Sequence, residues 1–211
     1  MAQTRPKIIV IGNAPRHKRW LRWLKVPLKN HNDFVNNRCH TVVRFNQCSN
    51  YNQGTGTKTN ILALINNGSS AQKFLKHDSI PKAVVEQIDC VWFTRPANQN
   101  HDFLIDNNAA QPIDYSTEII DFQGFKSKKI AYIDGEIYQH LYQKIIAQSP
   151  LHHEPSSGIA IIENILRTPD YEHFDKYLLG FSWQGWQGHH WETEKKICLA
   201  YEKQKRLTIL R

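Results

Sequence analysis

Short apolar runs, spaced along the chain and separated by stretches with helical spacing, constrain this sequence more than any other feature. Lys7–Gly12 (KIIVIG), Thr41–Asn46 (TVVRFN), Asp89–Thr94 (DCVWFT), Lys128–Ile133 (KKIAYI) and Lys176–Phe181 (KYLLGF) each read as a buried strand. Asn60–Ile65 (NILALI) fits a strand or a short helix, and Leu207–Leu210 fits a last edge strand. Between them the spacing predicts helices over Arg16–Leu24, Pro81–Gln87, Glu136–Ala147, Ser157–Arg167 and Trp191–Lys205. In the third of these, Ile137, Leu141, Ile145 and Ile146 share a face; in the last, Ile197, Leu199 and Ala200 are expected to point inward. Pro96–Gln111, rich in Asn and Asp, reads as a loop. Strands alternating with helices predict an α/β fold: a single-domain, Rossmann-like sandwich over 1–211 with a mostly parallel central sheet.

Ligands in such sheets bind outside the carboxyl ends of the strands. Four segments fall where a strand ends or a helix begins: Val10-Ile11-Gly12-Asn13, Val43-Arg44-Phe45-Asn46 with Gly56-Thr57-Lys58-Thr59, Pro155-Ser156-Ser157-Gly158, and His189-His190-Trp191-Glu192-Thr193-Glu194. Gly12 lets the backbone turn and a ligand approach, while the Asn13 amide can donate to a phosphate or accept from a ribose hydroxyl. No GxGxxG follows, so this is not a dinucleotide fingerprint. The Gly54–Thr59 stretch fails the P-loop test because Thr57 separates glycine from Lys58; an anion-binding or purely structural bend remains. Ser156 and Ser157 open an apolar helix, where hydroxyls and unpaired N–H groups favour an anion as well as an ordinary cap. His189, beside a helix N-terminus, is placed to stay neutral and act as a base. Glu194 can bond that imidazole or favour the helix dipole. The Trp183-Gln184-Gly185-Trp186 lead-in supplies aromatic rings suited to stacking on sugars.

Composition narrows the partners. The chain has 211 residues, 40% hydrophobic and 22% charged, as in an ordinary globular protein, and its net charge of +8 leans toward anionic partners. Cations crowd Arg16–Lys25, interleaved with Trp20 and Trp23, and again Lys195, Lys196, Lys203, Lys205 and Arg206. The four cysteines show no CxxC spacing, Cys90 and Cys198 sit in apolar runs, and a reducing compartment is expected. No secretory leader is expected, and no apolar run reaches membrane-spanning length. A cytoplasmic location follows, with peripheral contact at the inner membrane face through the basic helices as an option. His152, His153 and Glu154 can meet His189, His190 and Glu192 across the fold, but no HExxH or Cys/His zinc spacing is present, so no metal is expected. Ser157 with His189 lacks the GxSxG elbow of a hydrolase.

Taken in order, the four segments resemble the sialylmotifs of the eukaryotic-type sialyltransferase family. The stretch from Val10-Ile11-Gly12-Asn13 to Gly56-Thr57-Lys58-Thr59 is similar to the large motif, Pro155-Ser156-Ser157-Gly158 to the small motif, and His189 with Glu194 to the very small motif. The third motif is at best degenerate, within Trp183–Trp186. The resemblance implies a GT-A-like, metal-independent glycosyltransferase without a cofactor, which inverts configuration as it moves sialic acid from CMP-sialic acid to a glycan hydroxyl. It places Gly12, Asn13, Asn46, Ser156, Ser157 and Gly158 at the donor and His189 as base, with Glu194, Lys58 and Trp186 in support. Animal members carry a membrane anchor and a disulfide between the large and small motifs; the Ser156–Arg167 segment here has no cysteine. The expected setting is a trimmed, bacterial-style enzyme of lipooligosaccharide or capsule synthesis. CMP-Kdo shares the donor's CMP and carboxylate and is the alternative donor. Two alternatives from other classes are a basic nucleic-acid-binding protein and a noncatalytic glycan-binding relative.

Overall fold

The structure is a computed structural model that describes residues 5–14, 31–76, 80–97, 113–148 and 154–211. The expected Arg16–Leu24 helix, the Arg16–Lys25 cation cluster, His152 and His153, and most of the Pro96–Gln111 loop lie outside these residues. Among the described residues seven strands form one sheet: β1 (Lys7–Ile11), β2 (Thr41–Phe45), β3 (Ile61–Leu64), β4 (Cys90–Phe93), β5 (Lys129–Tyr132), β6 (Asp175–Leu179) and β7 (Thr208–Leu210). Their order is β5-β4-β3-β2-β1-β6-β7, and every neighbouring pair is parallel. From β1 the chain steps outward to β5, then returns to lay β6 on the other side of β1. The order therefore reverses between β1 and β6, the switch point where parallel sheets open a crevice at their carboxyl ends.

Alternation along the strands builds a core on each face. Ile8 and Val10 of β1 join Val43, Ala63 and Trp92 under helices α4 (Gly135–Ile146), α5 (Ser157–Arg167) and α6 (Trp191–Lys203). Ile9 and Ile11 face the other way, with Val42, Val35 and Leu179. On that side Leu62, Leu64, Val91 and Phe93 pack under α1 (Gly68–Lys76), α2 (Lys82–Gln87) and α3 (Ser116–Phe122). Burial on both faces explains why the strands read as continuous apolar runs. The NILALI run resolves as strand β3. Two helical faces depart from expectation. In α4, Tyr138 and Tyr142 accompany Leu141 and Ile145 inside in place of Ile137 and Ile146. In α6, Leu199 and Ala200 are exposed, and Thr193, Glu194, Ile197, Cys198 and Tyr201 face in. All four cysteines are buried and free.

One buried cation organises the loop ahead of β3. Arg44 of β2 is 1% exposed. Its guanidinium donates to the Lys58, Thr55 and Gly56 carbonyls and to the Thr55 and Thr59 hydroxyls. Burial pulls its pKa down to about 10, which leaves it charged at neutral pH. Its hydrogen-bond partners among the described residues are neutral oxygens, and the Tyr51 ring lies 5.6 Å from the guanidinium carbon. The same loop has its N–H groups taken up by side-chain amides: Asn36 accepts from Thr57 and Lys58, Asn32 from Gly56, and Gln87 from Thr59. Replacing Arg44 with Met orphans several buried acceptors at about 1 kcal/mol or more each, so unfolding free energy is expected to fall by about 3 kcal/mol. Urea denaturation checks this; a midpoint unchanged from wild type refutes the assignment.

Candidate functional site

The loops after β1, β2 and β6 and the N-termini of α5 and α6 enclose a cleft of about 270 Å³ at the switch point. Gly12, Asn13, Asn46, Ser156, Ser157, Gly158, His189 and Glu194 all line it, so residues spread over most of the sequence share one wall. The β1 and β6 loops are pressed together. Gly12 N donates to Leu179 O at 2.8 Å and Ala14 N to Gly180 O at 3.0 Å. A Cβ on Gly12 would sit 2.5 Å from the Gly180 carbonyl oxygen, so only glycine fits there. Asn50, buried, donates to the Gly12 and Ala14 carbonyls at 2.7 and 2.8 Å and holds the turn.

Asn13 is committed largely to structure: its amide donates to Phe45 O and its oxygen accepts from Ser49 N. Asn46, with φ 49°, accepts from Ile65 N, which leaves its amide nitrogen as the end that can donate to a ligand. Ser156 caps α5 by accepting from Ile159 N, and Ser157 Oγ lies 2.9 Å from Thr94 Oγ1. Phe181 and Trp183 stack at 5.3 Å and form an apolar wall, with Phe45 edge-on to Phe181.

Glu194 is wholly buried and does not bond the imidazole, one of the two roles its spacing allowed. Its two carboxyl oxygens accept from the N–H and hydroxyl of Ser156, at 2.8 and 2.6 Å. Burial raises its pKa to about 7, although the Ser156 bonds and nearby Arg95 pull the other way. His189 is instead held by a backbone carbonyl: Nδ1 lies 2.7 Å from Glu154 O. A carbonyl only accepts, so Nδ1 carries the hydrogen and Nε2 the lone pair in the neutral ring. Trp186 and Trp191 meet the imidazole edge-on at 4.9 and 5.0 Å and fix its plane.

The carbonyl that orients His189 is itself anchored. Arg95, at the end of β4 and 2% exposed, pairs with the Glu154 carboxylate at 3.2 Å and donates to Pro155 O at 3.0 Å and Thr94 O at 3.0 Å. The sequence offered the Arg95–Asn107 loop only as one that could shape an acceptor site, and did not single out Asn50 or Phe181. The glycine ending β6 after an apolar run, as Gly12 ends β1, was the available signal for the β6 loop. Lys58 must be removed from the site. Its ammonium donates to Cys39 O, ahead of β2 and hence at the opposite end of the sheet. In the Gly54–Thr59 bend the N–H groups of Gly56, Thr57, Lys58 and Thr59 are already taken by side-chain oxygens, as in a structural loop.

Trp186 is 66% exposed and lines a second cleft of about 450 Å³, which shares Asn46, Ser157 and His189 with the first. Among the described residues no group of three His, Cys, Asp or Glu could hold a metal ion, and no helix is long and apolar enough to cross a membrane.

No family model matches the chain. A urease operon 23 kDa accessory protein of Rhizobium meliloti (strain 1021) is 27% identical over 177 residues, 80% of this chain and 82% of that protein. That name refers to an operon and states no reaction. The crystal structure of a mammalian sialyltransferase is similar with a TM-score of 0.53 at 13% identity, over 98% of this chain and 69% of that one. The chain thus has a sialyltransferase-like fold.

The raised Glu194 carboxyl gives a pH signature. Below about pH 4 the group is protonated in both the folded and the unfolded chain. Between its ordinary range and about 7 only the folded state keeps the proton, so stability falls as pH rises through that window. Glu194→Gln is expected to remove that slope, worth on the order of 3 kcal/mol at most. Thermal denaturation from pH 4.5 to 8 checks this; parallel curves for the two proteins refute it.

Proposed function

We propose that the protein is an inverting glycosyltransferase that moves sialic acid from CMP-sialic acid to a glycan hydroxyl, on a GT-A-like variant of the fold and without a metal. The observation that carries this reading is the convergence of Gly12, Asn46, Ser157 and His189 on one cleft at the switch of the parallel sheet. The sialyltransferase-like fold supports it. CMP-Kdo presents the same CMP and carboxylate and is the alternative donor.

The chemistry suits the groups present. The donor carries a phosphate and a carboxylate on its anomeric carbon. The α5 N-terminus, with Ser157 and Gly158, offers N–H and hydroxyl donors to such charges, and the Asn46 amide adds another. The Phe181–Trp183 wall offers a face for the cytosine ring. His189 Nε2 takes the proton from the acceptor hydroxyl as its oxygen attacks the anomeric carbon. The bond from that carbon to the phosphate oxygen breaks, and CMP leaves with the electron pair. Glu194 acts at one remove, through Ser156, as a positioning residue.

CMP is expected to raise the melting temperature, with stabilisation of about 2.7 kcal/mol at a hundredfold excess over Kd. A thermal-shift panel of CMP, CMP-sialic acid, CMP-Kdo, UDP and GDP reads this out, and equal responses to all five sink the donor assignment. His189→Ala is expected to lower transfer by about 100-fold or more with CMP binding retained. Full transfer by that variant sinks the base.

A further inference from the structure

The second cleft lies against the first, and three residues, Asn46, Ser157 and His189, belong to both walls. A group on either side is therefore within the reach of the same imidazole. Its remaining lining is chemically distinct from the first cleft. One side is the exposed indole of Trp186, whose ring is set by its edge contact with His189 and by Gly188, where a side chain would collide with it. The lining also includes the first turn of α1, Gly68, Ser69 and Ser70, with Lys73 one turn on. The lining includes Arg95, 2% exposed, whose Nε has no hydrogen-bond partner among the described residues and whose guanidinium pairs with the Glu154 carboxylate.

The positive end of α1, its two serine hydroxyls and the exposed Lys73 favour negative charge. An indole face favours the apolar side of a pyranose. We propose that the second cleft seats the acceptor, and that the acceptor is an anionic saccharide whose phosphate or carboxylate meets Lys73 and the α1 N-terminus while its ring stacks on Trp186. This inference rests on the transferase reading of the first cleft. It adds the side from which the acceptor hydroxyl reaches His189 and the charge that the acceptor carries. Lys73 is then a specificity-determining residue. It selects the acceptor without touching the donor.

Ligand-observed NMR on the full chain tests this with glucose 6-phosphate, glucuronic acid and glucose, each with and without CMP. The two anionic sugars are expected to bind at least fivefold more tightly than glucose. Lys73→Glu, a change at an exposed position, is expected to weaken glucose 6-phosphate and glucuronic acid at least tenfold while leaving glucose and CMP unchanged. Trp186→Ala is expected to weaken all three sugars. A preference for the phosphate over the carboxylate, or the reverse, identifies which anion the acceptor bears. Equal affinity for charged and neutral sugars, no binding of any sugar, or indifference to Lys73→Glu overturns the proposal. Failure of CMP to bind while the sugar pattern holds sinks the donor reading alone, since the sugar measurement does not require CMP.

Discussion

Glu194 accepts both of its short hydrogen bonds from one residue, Ser156, and in doing so ties the N-terminus of α6 to that of α5 inside the core. The pairing costs the burial of a carboxyl group and is affordable because that group is held close to neutrality. Its effect is positional. Ser157 and Gly158 follow directly from Ser156, and His189 lies just ahead of the helix that carries Glu194. Fixing one bond therefore fixes the relation between the helix terminus that can hold an anion and the imidazole that faces it. A parallel chain of contacts sets the ring itself: Arg95 donates to the Glu154 carboxylate and the Pro155 carbonyl, and His189 Nδ1 donates to Glu154 O. The candidate donor side is thus held by buried contacts and the candidate base by part-buried ones, a fixed relation of the kind that reaction geometry at the ångström scale requires.

Much of the fold was legible because burial on both faces writes itself into the strands as unbroken apolar runs. The inner strands β1 to β4 were marked in this way, with β3 left between two readings, while β5, β6 and β7 are less buried and were read from shorter apolar stretches. Helices were harder. The first turn of α1 holds Gly68, Ser69 and Ser70, and α3 begins with Ser-Thr-Glu, so neither announces itself by composition. Only the packing of Ala71, Phe74 and Ile119 against the sheet makes them helical partners of the core. The α4 face shifted because Tyr138 and Tyr142, amphipathic on paper, bury their rings.

The site was legible where a residue's role lies in its own position, and illegible where it depends on a distant partner. Gly12, Ser156 and Ser157 stand at element ends that the sequence marks. The partner of Glu194 was not visible, because its place near the helix start allowed either the neighbouring imidazole or the helix dipole, and the fold supplied Ser156. Lys58 was misread for a related reason. A glycine-rich bend with a lysine looks alike whether its N–H groups await a phosphate or are already taken by Asn32, Asn36 and Gln87.

The placement of β1 between β2 and β6 has a consequence for assembly on the ribosome. Its first neighbour arrives about thirty residues later, but its second belongs to a segment more than a hundred and sixty residues downstream. Until β6 emerges, one long edge of the central strand has no partner and the crevice has a single lip. The imidazole and the carboxyl that completes the clamp emerge later still. That edge and the second lip of the crevice are therefore completed only once the distant β6 segment has been made.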